Sequence, residues 1–266
     1  MTLSSVSLNH GVARVDLELT DAQESAVRDL ARSFDTAEAG ELNAIELHAA
    51  FMQHCVKRGD SSAALAVFDS FCQIYDTVAN DVHVVVQARG LDEVAARRVL
   101  KGYFSAWSIV NGDRDSQARL IAPAPALFAA VDPARLMALF GGQRGSNSYL
   151  DEAAWLLDVY GPLLTDFVVH MSEFLHRESQ NEQIASVYSK GLSVFQWLTV
   201  DGTMPGDSYI LSSPVCMPLY GLTQLMHVMV LYKTLGVSPG ELVKRFKGKL
   251  LLMSIVLSCA LSLSSN

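Results

Sequence analysis

A short apolar run, Leu136-Met-Ala-Leu-Phe140, stops at Gly141-Gly142-Gln143, and after a small polar loop an apolar-periodic segment begins at Tyr149. No other stretch constrains the fold as much, because that order predicts a buried strand, a tight loop and a helix start. Glycines at a strand end let the backbone approach a ligand with no side chain in the way. The N–H of Gln143 can then point at developing negative charge, which an oxyanion hole requires. On these residues alone a simple turn is the competing reading, and both stand at this point.

The chain has 266 residues, enough for one large core or two modest ones. It is 50% hydrophobic and 18% charged, the composition of a globular protein. A formal net charge of −8 argues against a nucleic-acid partner, which would need a basic face. Cys55, Cys72, Cys216 and Cys259 show neither a C-x-x-C nor a Cys/His cluster at zinc spacing, so no metal site is expected. Structural disulfides are not expected either, and a reducing, cytoplasmic compartment is the default. The N-terminus lacks a basic-then-apolar leader pattern. Leu250 to Leu263 is apolar but shorter than the roughly 20 residues of a membrane span, so no membrane partner is expected.

Val12 to Leu19 alternates apolar Val15, Leu17 and Leu19 with Arg14, Asp16 and Glu18, the period of a half-buried strand. Thr20 with Gln23 is a capping-box signature opening a helix that carries Val27, Leu30, Ala31 and Phe34. A loop is expected over Ala37 to Glu41. A helix with Ile45, Leu47, Ala49 and Met52 then ends near Arg58-Gly59. Asp60 or Ser61 caps the next, whose stripe is Ala64, Val67, Phe68, Phe71, Ile74, Tyr75 and Val78. Another helix spans about Asp92 to Ser108, with Val94, Val99, Leu100, Tyr103, Phe104 and Trp107. Asn111 to Ala126 reads as a linker, and the domain boundary is placed there.

Tyr149 to Tyr160 is expected to be helical until Gly161-Pro162 interrupts it, with a second helix after the proline. Glu182 to Thr199 predicts a further helix facing Ile184, Val187, Tyr188, Leu192, Phe195 and Leu198. Asp201 to Ser208 predicts loop, and Tyr209 to Cys216 a short apolar element ending at Pro218. Leu219 to Leu235 predicts a buried helix on Leu222, Leu225, Met226 and Met229, stopped by Gly236.

Phe140-Gly-Gly-Gln143, Pro218-Leu-Tyr-Gly-Leu-Thr-Gln-Leu-Met-His227 and Leu235-Gly-Val-Ser-Pro-Gly-Glu-Leu242, in that order, resemble the N-terminal part of the β subunit of fungal fatty acid synthase. More narrowly they resemble its acetyltransferase domain, also called a starter acyl transferase, and the likeness runs from about Ser7 to Gly248. The resemblance implies an α/β, helix-rich fold: a mainly helical N-terminal region over 1–125, then over 126–248 the first part of an acyltransferase (hydrolase-like) α/β domain, incomplete. Residues 249–266 read as a non-matching tail. In the family the segment after Lys247-Gly248 continues into a Gly-His-Ser-Gln-Gly nucleophile elbow, whereas here Met253 falls where the serine would be. The implied expectation is a truncated version with no catalytic serine or histidine, produced by a retained intron or frame error.

The reaction the resemblance implies is a ping-pong transfer of an acetyl starter from acetyl-CoA, through a serine ester, to the thiol of the acyl carrier domain. Acetyl-CoA is the implied substrate and no tightly bound cofactor is implied. The acyl carrier domain and the α subunit are the implied partners. Gly142 and Gln143 would form the oxyanion loop, and Gln224 would line the site. A polar residue bonding neighbouring loops is the competing reading of Gln224. Ser254 lacks flanking glycines, so no sharp turn is encoded to expose it. His227 reads as a packed histidine satisfied by a carbonyl rather than as a general base. Arg144 stands where the family has glycine. His48, His54 and Cys55 are spaced for different sides of a helix rather than for a metal. Two alternative functions remain: a non-catalytic assembly piece of a synthase complex, or the starter unit transferase of a polyketide-linked synthase.

Overall fold

The computed structural model describes residues 3–34, 41–77, 81–111, 148–235 and 238–240. The strand and Gly-Gly-Gln loop expected over Leu136 to Gln143, the linker after Asn111, the loop over Ala37 to Gly40, Val78, Gly236 and the tail from Glu241 lie outside the described residues. Two compact units divide the chain, one of Met1–Pro125 with Val159–Pro162 and the other of Ala126–Asp158 with Leu163–Asn266. The fold is helix-rich, with little sheet among the described residues.

The first unit opens with an antiparallel hairpin of β1 (Leu3–His10) and β2 (Ala13–Thr20), in register Val6↔Leu17 and Leu8↔Val15. Successive side chains leave a strand on opposite faces. Val6, Leu8, Val15, Leu17 and Leu19 are therefore buried together, while Ser7, Arg14 and Asp16 face outward. Ser7 Oγ donates to Asp16 Oδ1 at 2.5 Å and Arg14 pairs with the same carboxylate. The strand expected over Val12 to Leu19 is present as β2, but β1 was not foreseen.

Helix α1 (Asp21–Arg32) begins at the expected box, where the Thr20 N–H donates to Gln23 Oε1 at 3.1 Å. Helix α2 (Ala44–Lys57) carries a second box: the Glu46 N–H donates to Asn43 Oδ1 at 3.0 Å and the Asn43 N–H to Glu46 Oε2 at 3.1 Å. Asp60 caps α3 (Ser61–Tyr75) through the Ala63 N–H. A short α4 (Val82–Ala88), not foreseen, is capped by Asp81. Asp92 caps α5 (Glu93–Asn111) through the Ala95 N–H.

Leu47, Phe51, Met52, Val67, Phe68, Phe71 and Val99 form the centre of this unit and are fully buried. Two residues of the expected stripes are outside it. Ile74 is 45% exposed and Val94 is 66% exposed, although the adjacent Tyr75 and Ala95 are buried. His48 is buried against Phe71 and Tyr75, and its Nε2–H donates to the Val67 carbonyl at 3.1 Å. His54 stacks on Phe51, so the two histidines serve the core and its margin.

Helix α6 (Ser148–Ser179) belongs to the second unit except for Val159–Pro162, and it kinks at Tyr160 (φ −108°, ψ 25°) just before Gly161-Pro162. Proline removes one helical N–H and crowds the preceding turn, so the interruption falls where the sequence placed it. The helix expected over Glu182 to Thr199 is not formed. Residues 181–187 make successive turns, Gly191 takes φ +64°, and only α7 (Val194–Thr199) is helical. A left-handed glycine ends any helical run, and the buried set becomes Leu192, Val194 and Trp197 while Val187 stays exposed. A four-residue α8 (Asp207–Ile210) occupies the end of the expected loop.

Helix α9 (Ser213–Thr234) starts before Pro218 instead of after it, with Pro214 in its first turn. Among the described residues it is the helix long and apolar enough to cross a membrane. Val215, Leu219, Leu222 and Met226 of α9 are buried within the unit, the pattern of a core helix.

Candidate functional site

The polar residues of the 218–227 motif emerge from one stretch of α9. Thr223 is buried, and its hydroxyl lies 3.3 Å from the Tyr149 carbonyl and 3.1 Å from the Leu219 carbonyl of its own helix. Gln224, the next residue, is half-buried. His227 follows three residues on, so it shares a helix face with Gln224. Its Nε2 lies 2.9 Å from Glu152 Oε1.

Both partners, Tyr149 and Glu152, sit on the first turns of α6, and the Tyr149 hydroxyl reaches on to the Ile210 carbonyl at 3.3 Å. Burial pushes the Tyr149 phenol up to about 12, which keeps it a hydrogen-bond donor. The Tyr149 and Tyr220 rings meet edge to face, with centroids 6.3 Å apart. Helix α9 thus holds the start of α6, the helix that directly follows the Gly-Gly-Gln segment in the chain.

His227 departs from its expected role. It is neither packed nor satisfied by a carbonyl; it is 40% exposed, and its partner is a carboxylate that is itself 50% exposed. The histidine projects from α9 toward the polar flank of α6 rather than into the core. Nothing in the local sequence marks Glu152, Tyr149 and Thr223 as a group. Their partners lie more than seventy residues away in the chain, and spacing within a helix carries no trace of such pairs.

Of the three site residues expected, the structure describes Gln224 alone; Gly142 and Gln143 lie outside the described residues, as do Arg144 and Ser254. The cluster around Gln224 offers an amide, an imidazole paired with a carboxylate and a committed threonine hydroxyl. Those groups can orient a polar substrate, and none of them is an activated nucleophile. No group of three His, Cys, Asp or Glu side chains that could hold a metal occurs among the described residues. Cys55, Cys72 and Cys216 are buried thiols. Burial raises Cys55 to about 12 and Cys72 to about 11, so neither ionises readily.

No protein-family model matches the chain. It is 38% identical over 167 residues, 63% of its length, to fatty acid synthase subunit beta of Schizosaccharomyces pombe. It is 32% identical over 176 residues, 64% of its length, to the subunit of the same name from Saccharomyces cerevisiae. A longer match, 24% identical over 254 residues and 93% of the chain, is to fatty acid synthase subunit beta of Aspergillus oryzae. The chain spans 8% of the length of each yeast relative and 12% of the Aspergillus one. It is thus similar, over about 63% of its length, to part of the β subunit of fungal fatty acid synthase.

Proposed function

We propose that this chain is part of a fatty acid synthase β subunit, in a multi-subunit synthase, and contributes the opening segment of the domain that loads an acetyl starter from acetyl-CoA onto the acyl carrier protein. The observation that carries the reading is the 38% identity to a β subunit over 167 residues. Gly142 and Gln143 would form the oxyanion loop, with the Gln143 N–H as its first donor and the residue after the elbow serine supplying the second, and Gln224 on α9 would line the site, with Glu152 and His227 beside it. The acyl carrier domain and the α subunit are the proposed partners, acetyl-CoA is the proposed substrate, and the proposed compartment is the cytoplasm. No Gly-x-Ser-x-Gly occurs in these 266 residues, so we expect no transfer to carrier protein by the chain alone.

The test exchanges the matching segment of the Aspergillus oryzae subunit for this chain's residues. A segment that covers 93% of the chain necessarily includes Gln224. The chimera is expected to assemble and to load labelled acetyl onto carrier protein, with loading reduced by Gln224→Ala. A chimera that assembles but loads nothing would leave the second reading, a non-catalytic assembly piece. That reading is favoured by the first unit, which has its own buried centre around Phe51, Phe68 and Phe71.

A further inference from the structure

In the second unit, Ser193 does not act as serines before a helix ordinarily do. It directly precedes α7, yet its hydroxyl makes no capping bond there. The Phe195 N–H is accepted instead by Ser172 Oγ, at 2.9 Å. Relieved of that role, Ser193 Oγ lies 3.1 Å from Nδ1 of His176.

The serine is fixed from both sides. Leu192 and Val194 are buried, while Ser193 between them is half-buried. The Tyr209 hydroxyl donates to the Gly191 carbonyl at 2.7 Å. Gly191 takes φ +64°, and a Cβ at that position would come within 3.3 Å of His176 Nδ1. The approach of this turn to the imidazole therefore depends on glycine. His176 itself stands in the last turn of α6.

We propose that Ser193 and His176 form an acyl-accepting site for activated esters and thioesters, the serine as nucleophile and the imidazole as its proton acceptor. Ser193 Oγ forms a bond to the acyl carbon as its proton passes to His176 Nδ1. The C–S or C–O bond of the donor then breaks, and the leaving thiolate or alkoxide takes that proton. The products are acyl-Ser193 and a neutral thiol or alcohol. This proposal stands on the geometry of residues 172–209 and does not rest on the starter-loading reading, whose elbow serine has no counterpart in these residues.

The full chain is treated with a fluorophosphonate probe and, separately, with p-nitrophenyl acetate, and the adduct is mapped by peptide mass spectrometry. A single adduct on Ser193 is expected, absent in Ser193→Ala and formed about 100-fold more slowly in His176→Gln, the usual weight of a positioned base. No adduct on the wild-type chain, an adduct on another residue, or an unchanged rate in His176→Gln overturns the proposal. Should circular dichroism show His176→Gln unfolded, the wild-type rate against pH decides. A rise as imidazole loses its proton supports the site, and a flat profile overturns it.

Discussion

Gly102 of α5 crosses α2 so closely that a Cβ on it would stand 2.4 Å from the Ala49 carbonyl oxygen and 2.8 Å from the Ala49 carbonyl carbon. The two helices meet backbone to backbone at that point. Gly102→Ala should destabilise the first unit by about 1–3 kcal/mol, the range for overpacking a well-filled interior, although alanine is the better helix former. Urea unfolding measures it. Adding Ala49→Gly should not restore stability, because the nearest obstacles are backbone atoms; full rescue would show that the Ala49 methyl alone sets the spacing.

His48 gives the first unit a pH dependence. Its imidazole is fully buried, Nε2–H donates to a carbonyl and Nδ1 has no partner among the described residues. Burial lowers its pKa from 6.5 to about 4. The unfolded chain therefore binds a proton between those values that the folded chain does not. Stability contributed by the neutral ring is complete above about pH 6.5 and is lost as pH falls toward 4, by about 3 kcal/mol in all. Unfolding midpoints recorded across that window should fall for the wild-type chain. The fall should be shallower in His48→Phe, and equal slopes would contradict the assignment.

Glu46 does two jobs with one carboxylate. Oε2 accepts the Asn43 N–H that starts α2, and Oε1 meets Arg98 Nη1 of α5 at 2.5 Å. The carboxylate is nearly buried while Arg98 is 32% exposed, so the pair is only partly screened. Glu46→Gln keeps a capping group and should cost about 1–2 kcal/mol; Glu46→Ala removes the cap as well and should cost about 1 kcal/mol more. A double-mutant cycle with Arg98→Met separates the two contributions, and additivity within error would mean that the pair contributes nothing.

How far the sequence reveals this molecule depends on where each signal resides. The capping box at Thr20 and Gln23, the Asp60 cap and the break at Gly161-Pro162 are local chemistry, and the structure has all three. Strand β1 escaped notice because Val6 and Leu8 give only two alternating apolar positions, whereas its pairing with β2 is what buries them. The helix expected over Glu182 to Thr199 failed for the opposite reason. Apolar spacing there imitates a helical face, but Gly191 at φ +64° cannot continue one. Gln224 was legible as a motif residue, while the Glu152 partner of His227 depends on two helices meeting and is invisible along the chain.

Two bonds hold the start of α6 to α9, and their burial ranks them. Thr223 Oγ1 donates in a buried setting, toward the Tyr149 carbonyl at 3.3 Å and the Leu219 carbonyl at 3.1 Å. His227 and Glu152 face water, where a polar contact gains little and two side chains must be held in one geometry. Thr223→Val keeps the shape and removes the hydroxyl, leaving the Tyr149 carbonyl without this donor, so about 1 kcal/mol should be lost. Glu152→Gln should change stability by less than about 0.5 kcal/mol. Amide hydrogen exchange over the first turns of α6 gives a local reading of the same ranking. Faster exchange is expected in Thr223→Val and near wild-type exchange in Glu152→Gln. The reverse order would make the exposed imidazole–carboxylate contact the one that fixes the start of α6.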